Sequence, residues 1–297
     1  RAMMPALFDE AALRKLEQLT LVADSVRVGV MKGERRSRKR GTSIEFADYH
    51  DYSRGDDLRR LDWNVYARLE RPFIKLLEEE EDLAVHLLVD NSRSMDWPDD
   101  PEQNKLRYAL RLCGALGYIA LHAGDQVSVT LLDRERRRWG PYRGRPNSLR
   151  LLQFLDAVSA AGETNLNAVL QDYALRGGRP GLLLLLSDML SPAGYREGLN
   201  ALLARGYEVG ILHVLSPDEL QPPLAGDLKL VDVETGEDAE ISLDGTTLAA
   251  YDQRLRDWQA ELASFSAARA MHYVPVSTGT PWERLVLRTL RAEGVLR

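Results

Sequence analysis

Leu83-Ala84-Val85-His86-Leu87-Leu88-Val89-Asp90-Asn91-Ser92-Arg93-Ser94 is an apolar run that ends in a cluster of oxygen-bearing side chains. A run that is apolar at nearly every position, instead of at alternate ones, belongs to a strand buried on both faces of a parallel sheet. Parallel neighbours need crossover helices, and the flanking sequence supplies them. Residues 105–123 place Leu106, Ala109, Leu110, Cys113, Leu116, Gly117 and Ala120 on one helical face. Further strands are expected at 126–132, 180–187, 207–214 and 271–275, with 136–139 as a hairpin partner of the first. Helices are expected at 149–158, 166–175, 192–203, 247–270 and 282–291. Strands alternating with helices imply an α/β fold, a doubly wound, mostly parallel sheet of Rossmann type flanked by helices.

Two blocks stand outside that alternation. Residues 228–233 and 239–243, joined across Thr235-Gly236-Glu237, read as a β-hairpin insertion that leads into the long helix. The domain division expected is therefore 1–80, an N-terminal extension packed on the main domain, and 81–297, the α/β domain with an insertion at about 228–270. The extension opens with a helical stripe of Leu13, Leu16, Leu19 and Val22, followed by the basic residues Lys32, Arg35, Arg36, Arg38, Lys39 and Arg40. Ser53-Arg54-Gly55-Asp56-Asp57 reads as a turn, with Asp57 placed to cap a short helical turn through Trp63. Arg59, Arg60 and Asp62 can pair with one another or with the acidic run 78–82, and Trp63 and Phe73 are expected to anchor the block on the sheet.

The totals narrow the function classes. With 297 residues, 44% hydrophobic and 28% charged, the chain is long enough for a proper core and ordinary for a globular protein. Its net charge of -6 argues against a general nucleic-acid binder. The lone Cys113 excludes an intramolecular disulfide and a cysteine-rich zinc site, and its helical spacing marks it as a packing residue. No segment reaches the roughly 18 to 20 apolar residues of a membrane span. Asp9 and Glu10 stand where a signal peptide would be basic and then apolar, so the cytoplasm is the expected location.

Three pieces carry chemistry: Asp90-Asn91-Ser92-Arg93-Ser94, then Thr164 after Gly162-Glu163, then Ser187-Asp188. In open α/β sheets ligands collect at the carboxyl ends of strands, near the point where strand order reverses. Asp90 and Asp188 each end an apolar strand, and Ser92 and Ser94 alternate with Asp90, so their oxygens can turn toward one point. Thr164 begins a helix, where its hydroxyl could equally be a simple N-cap. Magnesium takes six oxygens and keeps several waters, which suits three hydroxyls and two carboxylates; manganese or calcium would also be accepted. Asp90 and Asp188 could bind directly or hold metal-bound water. A cation with so few charged ligands keeps a position open for a partner's Asp or Glu.

These residues resemble the von Willebrand factor A domain and its metal-ion-dependent adhesion site. Asp90, Ser92, Ser94, Thr164 and Asp188 align with its five positions without a departure. The upstream segments Gly41-Thr42-Ser43-Ile44-Glu45-Phe46 and Tyr52-Ser53-Arg54-Gly55-Asp56-Asp57-Leu58-Arg59-Arg60-Leu61-Asp62-Trp63, then Ala67-Arg68, narrow the likeness. With them, residues 33–297 resemble the bacterial family catalogued as domain of unknown function 58. That resemblance implies a companion of MoxR-type AAA+ ATPases, an adaptor or substrate-recognition subunit and not an enzyme. ATP turnover would fall to the partner, since no Gly-x-x-x-x-Gly-Lys-Ser/Thr loop is present here.

Two other readings use the same residues differently. A magnesium-dependent phosphatase would use Asp90 as nucleophile, but Ser92 stands where such enzymes place a carboxylic general acid. Nucleic acid or an acidic surface could dock on the 32–40 stretch and on Arg134, Arg136, Arg137, Arg138, Arg143 and Arg145, with Trp139 and Tyr142 interleaved. The histidines do not rescue catalysis: His86 and His213 lie in apolar strands as core residues, and His50 and His272 show no ligand spacing. His122 ends a helix, where a cation would favour the dipole.

Overall fold

The computed structural model describes residues 8, 10–23, 46–51, 63, 66–67, 73–77, 83–133, 135–223, 226–231, 238–243 and 245–296. Among these residues the strands are β1 (Phe46–Asp51), β2 (Phe73–Leu77), β3 (Ala84–Val89), β4 (Gln126–Leu131), β5 (Arg138–Arg143), β6 (Leu182–Ser187), β7 (Glu208–Leu215), β8 (Gly226–Val231), β9 (Asp238–Leu243) and β10 (His272–Ser277). Six of them form one sheet in the order β10-β7-β6-β3-β4-β5. All neighbours in it are parallel except β5, which closes one edge antiparallel to β4. The fold is the expected doubly wound α/β sheet flanked by helices. After β3 the chain moves outward to β4 and β5, then returns to lay β6 on the other side of β3. Strand order therefore reverses between β3 and β6, and that crevice opens where Asp90 and Asp188 emerge.

Alternate side chains of each strand enter opposite layers, as the pleat requires. Val85, Leu87, Val89, Leu182, Leu184 and Leu186 join one buried cluster, and Leu88, Leu183 and Leu185 the other. The Lys105–Ala123 and Ser148–Asp156 helices cover the first face through Leu116, Ile119, Leu151 and Leu155. The second is covered by the Leu166–Arg176, Arg196–Arg205 and Gly245–Ala267 helices, through Leu170, Leu199 and Leu262. Each such leucine contributes about 2 kcal/mol by leaving water. Cys113 is buried in the first layer, and burial pushes its thiol pKa up, as befits a packing residue.

The chain forms two compact units, residues 1–27 with 83–297, and residues 28–82. In the first, the Glu10–Leu16 helix buries Leu16, and Leu19 and Leu21 follow it into the same cluster. Leu21 bridges to Leu296, and the Val22 N–H donates to the Val295 carbonyl at 3.0 Å. The insertion is present as an antiparallel β8–β9 pair running into the Gly245–Ala267 helix. In the second unit, β1 and β2 pair antiparallel. Trp63 there is 66% exposed, with its ring edge-on to Tyr66 at 6.2 Å. The basic stretch 32–40, the turn 53–57, Arg59, Arg60, Asp62 and the acidic run 78–82 lie outside the described residues.

Several boundaries shift for local reasons. The strand expected at 136–139 runs over Arg138–Arg143 instead, because Asp133 captures the Arg136 N–H at 2.6 Å and holds Arg136 out of the ladder. The helix expected from 192 begins at Arg196, and the helix expected at 282–291 is π-helical over its middle, Leu285–Thr289. Burial lowers the pKa of His122, whose ring stacks on Tyr118 at 3.9 Å, so packing favours a neutral ring over the expected helix-end cation.

His86 and His213 are satisfied core residues. Nε2 of His86 lies 3.0 Å from the Arg179 carbonyl, which can only accept, so Nδ1 is the acceptor, facing the hydroxyls of Tyr173 (2.8 Å) and Ser128 (3.1 Å). His213 repeats the pattern, with Nε2 on the Asp188 carbonyl (3.0 Å) and Nδ1 on Tyr273 (2.8 Å). Burial lowers both from the usual 6.5 to about 4. The unfolded chain therefore takes up protons that the native rings refuse, and stability falls as pH drops from about 6.5 toward 4. The loss is on the order of 3 kcal/mol for each ring. Urea midpoints across that range should show this slope, and His86→Gln should remove about half of it. Parallel curves for the two proteins would rule the rings out as its source.

Candidate metal centre

The five expected residues fall on three loops at one edge of the sheet. Asp90 follows β3, Asp188 follows β6, and Thr164 precedes the Leu166–Arg176 helix. The Asp90 N–H donates to the Leu186 carbonyl at 2.9 Å, continuing the β3–β6 ladder to the point where both carboxylates leave it. The loop before Thr164 is stitched to the Asp90–Ser94 loop from both sides. Ala161 N–H donates to Asn91 O (2.7 Å), and Arg93 N–H donates to Gly162 O (3.0 Å).

Asp90 is buried and accepts from Ser187 Oγ at 2.7 Å and from the Ser92 N–H at 3.0 Å. Burial, then the nearby charge of Asp188, pushes its carboxyl above the ordinary range, against the pull of the Ser187 and Ser92 hydrogen bonds. Asp188 is fully buried, with Oδ1 accepting from the Leu190 N–H (3.0 Å) and Oδ2 from Lys105 Nζ (2.8 Å). Between them, Met189 takes a positive φ of 59°. A non-glycine residue holds that conformation at a cost of about 1–3 kcal/mol, a strain typical of functional turns.

The hydroxyls are equally constrained. Ser92 Oγ and Ser94 Oγ share a hydrogen bond at 3.0 Å. Thr164 is buried and its hydroxyl donates to the Leu132 carbonyl at 3.2 Å, leaving its lone pairs for another partner. Asn165, not Thr164, caps the helix, accepting from the Ala168 N–H at 3.0 Å. The simple capping role for Thr164 is thereby removed.

These residues fit a small hard cation. Adjacent oxygens on an octahedral ion with bonds of about 2.1 Å lie about 3.0 Å apart, the Ser92–Ser94 separation. The charge of Asp90, disfavoured by burial and by the Asp188 carboxylate, would also gain from a cation beside it. Among the described residues no group of three or more His, Cys, Asp or Glu side chains could hold a metal, so a cation here would rest largely on hydroxyls.

Three residues at this edge escaped the sequence reading. Lys105 and the partly exposed Glu219 join buried Asp188 in an ion cluster, with Lys105 Nζ 2.5 Å from Glu219 Oε1. Asp133, buried at the end of β4, accepts from Asn91 Nδ2 at 3.2 Å. The one available signal was a lysine at the start of a helix whose inward face is apolar. The arginine cluster is partly consumed within the fold: Arg136 pairs with Asp172, Arg137 with Asp133 at 3.3 Å, and Trp139 is buried.

Fold and edge together define a doubly wound α/β domain with a hydroxyl-rich oxygen cluster at its topological switch point. The chain belongs to the family described as "Protein of unknown function DUF58", which matches residues 48–261. It is 29% identical over 238 residues to the uncharacterized protein Rv1480 of Mycobacterium tuberculosis H37Rv, covering 79% of this chain and 74% of that one. It is also 35% identical over 118 residues to the uncharacterized protein MAV169 of Mycobacterium avium, covering 38% of this chain and 60% of that one. Among solved structures it is similar to an aerotolerance-related membrane protein of Bacteroides fragilis, with TM-score 0.42, 15% identity, and 71% and 98% of the two chains covered. The same values hold for the conserved hypothetical protein BatB of Bacteroides thetaiotaomicron. Among the described residues, no helix is long and apolar enough to cross a membrane.

Proposed function

We propose that this chain is a metal-dependent protein-binding module of the von Willebrand factor A type, holding a divalent cation, most naturally magnesium, at Asp90, Ser92, Ser94, Thr164 and Asp188. The observation that carries the reading is the pair of hydroxyls at 3.0 Å beside two buried carboxylates at the switch point. When bound, the cation would supply an electrophilic position for a partner's Asp or Glu, a charge-assisted contact at a partly dry edge. The chain's own residues orient it: Ser187 and the Ser92 N–H hold Asp90, and Leu190 N–H and Lys105 hold Asp188.

The surroundings suit a docking surface. Trp97, three residues beyond Ser94, and Leu190, two beyond Asp188, are each 48% exposed. An exposed indole and leucine in the same loops as the ligands are the type of apolar contact that anchors an interface. The partner expected from the family resemblance is a MoxR-type AAA+ ATPase or its client.

The test is a titration of the purified protein against the MoxR-type ATPase of the same genome, in magnesium and then in chelator. Binding lost in chelator supports the reading, and binding indifferent to the metal refutes it. Trp97→Ala should weaken such binding about tenfold or more while magnesium affinity, measured by calorimetry, stays unchanged. Equal loss of both would mean that Trp97 supports the loop and does not meet the partner.

A further inference from the structure

Lys105 opens the Lys105–Ala123 helix, where the positive end of the helix dipole disfavours a cation. Its side chain is also fully buried, which forfeits hydration that only close counter-charges recover. The ammonium is nevertheless placed with care. It donates to Asp188 Oδ2 at 2.8 Å and to Glu219 Oε1 at 2.5 Å. Glu219 is fixed in turn, since its Oε2 accepts from the Ser216 N–H (2.8 Å) and hydroxyl (3.1 Å). Tyr251 on the long helix donates to the Glu219 carbonyl at 2.6 Å. An arrangement that opposes the helix dipole and buries a charge beside a candidate metal ligand asks for a role at that ligand.

We propose that Lys105 is the positioning and charge-setting residue of this edge: it locks Asp188 in place and cancels its charge, so that a bound divalent cation keeps surplus positive charge for an incoming carboxylate. The inference rests on the cation site proposed above. A divalent ion between two uncompensated carboxylates would be neutral and would gain little from a third. With Lys105 against Asp188, one positive charge remains. Glu219 shares the ammonium, but its side chain is 20% exposed, so water screens it more than it screens the fully buried Asp188. Asp188 has both oxygens engaged, by Leu190 N–H and Lys105, and cannot turn to follow a ligand.

The probe is manganese alone, its affinity read from the electron paramagnetic resonance of the free ion. Acetate is then titrated onto the manganese-loaded protein, with displacement of metal-bound water read from water-proton relaxation. Lys105→Gln is expected to bind manganese about tenfold more tightly and acetate about tenfold more weakly. Glu219→Gln, which leaves the ammonium to Asp188 alone, should weaken manganese binding, and Lys105→Arg should stay near the wild type in both readouts.

A purely structural tie would instead lower both affinities together with the melting temperature in Lys105→Gln, and that result would overturn the proposal. Manganese affinity unchanged in Lys105→Gln would also overturn it while leaving the cation site standing. A wild-type protein that binds no manganese would remove the site and this inference together. Should Lys105→Gln fail to fold by circular dichroism, Glu219→Gln decides alone: unchanged or tighter manganese binding counts against the proposal.

Discussion

In Asp90→Ala, divalent-cation binding is expected to fall at least about a hundredfold while the sheet stays folded. Asp90 is one of two carboxylates at an edge otherwise built from hydroxyls, so its loss removes half of the formal negative charge offered by the five candidate ligands. The fold should survive because the costs nearly offset. Ser187 Oγ and the Ser92 N–H lose their acceptor, at about 1–3 kcal/mol each. Against that, a buried carboxylate that disfavours its own charge beside Asp188 is gone. Calorimetry with magnesium and manganese, beside a urea transition, separates the two effects. Undiminished cation binding would locate the ion elsewhere. Turnover of a phosphate ester, removed by the same substitution, would favour the hydrolase reading with Asp90 as nucleophile.

Gly181→Ala is expected to destabilise the protein by on the order of 3 kcal/mol or more, although it adds a single methyl group. A Cβ on Gly181 would lie 2.0 Å from the Ala84 carbonyl oxygen and 2.8 Å from its carbon. Both are backbone atoms of the neighbouring strand and cannot swing aside. On the other side, Gly181 O accepts from the Glu208 N–H at 3.0 Å, so the position is held between two strands. The clash falls at the start of the β3–β6 pairing whose far end carries Asp90 and Asp188. Gly124→Ala makes the control: its φ of +90° strains any other residue, but nothing lies within 4 Å, so the cost should stay near about 1 kcal/mol. Similar urea midpoints for the two variants would show that the strands can part without penalty.

The strands that build the site were legible because a parallel sheet buries both faces of its central strands. Burial of that kind writes an unbroken apolar run, and β3, β6 and β7 are buried at every position. Side-chain oxygens just beyond such runs then stand out, which is why Asp90, Ser92, Ser94 and Asp188 could be named from local sequence, whereas Thr164 follows no strand and was marked only by its place before a helix. The hairpin insertion and the long helix were legible for a similar reason, since both are set by patterns within a few residues. Boundaries were less so: Asn165 caps where Thr164 could have, and Asp133 turns the chain where a strand was expected. In each case one hydrogen bond chose between neighbouring residues of similar chemistry.

By itself, then, the sequence determined the α/β class, the central strands and the oxygen-bearing loops, all carried by short-range periodicity. Only the tertiary structure decided that β6 returns beside β3, which brings two carboxylates 98 positions apart in the chain to one crevice. It also decided that Lys105 is buried against Asp188 and Glu219, at sequence separations of 83 and 114. A lysine at a helix start reads locally as a solvated charge, and its desolvation cost is met only by partners that folding brings from elsewhere in the chain.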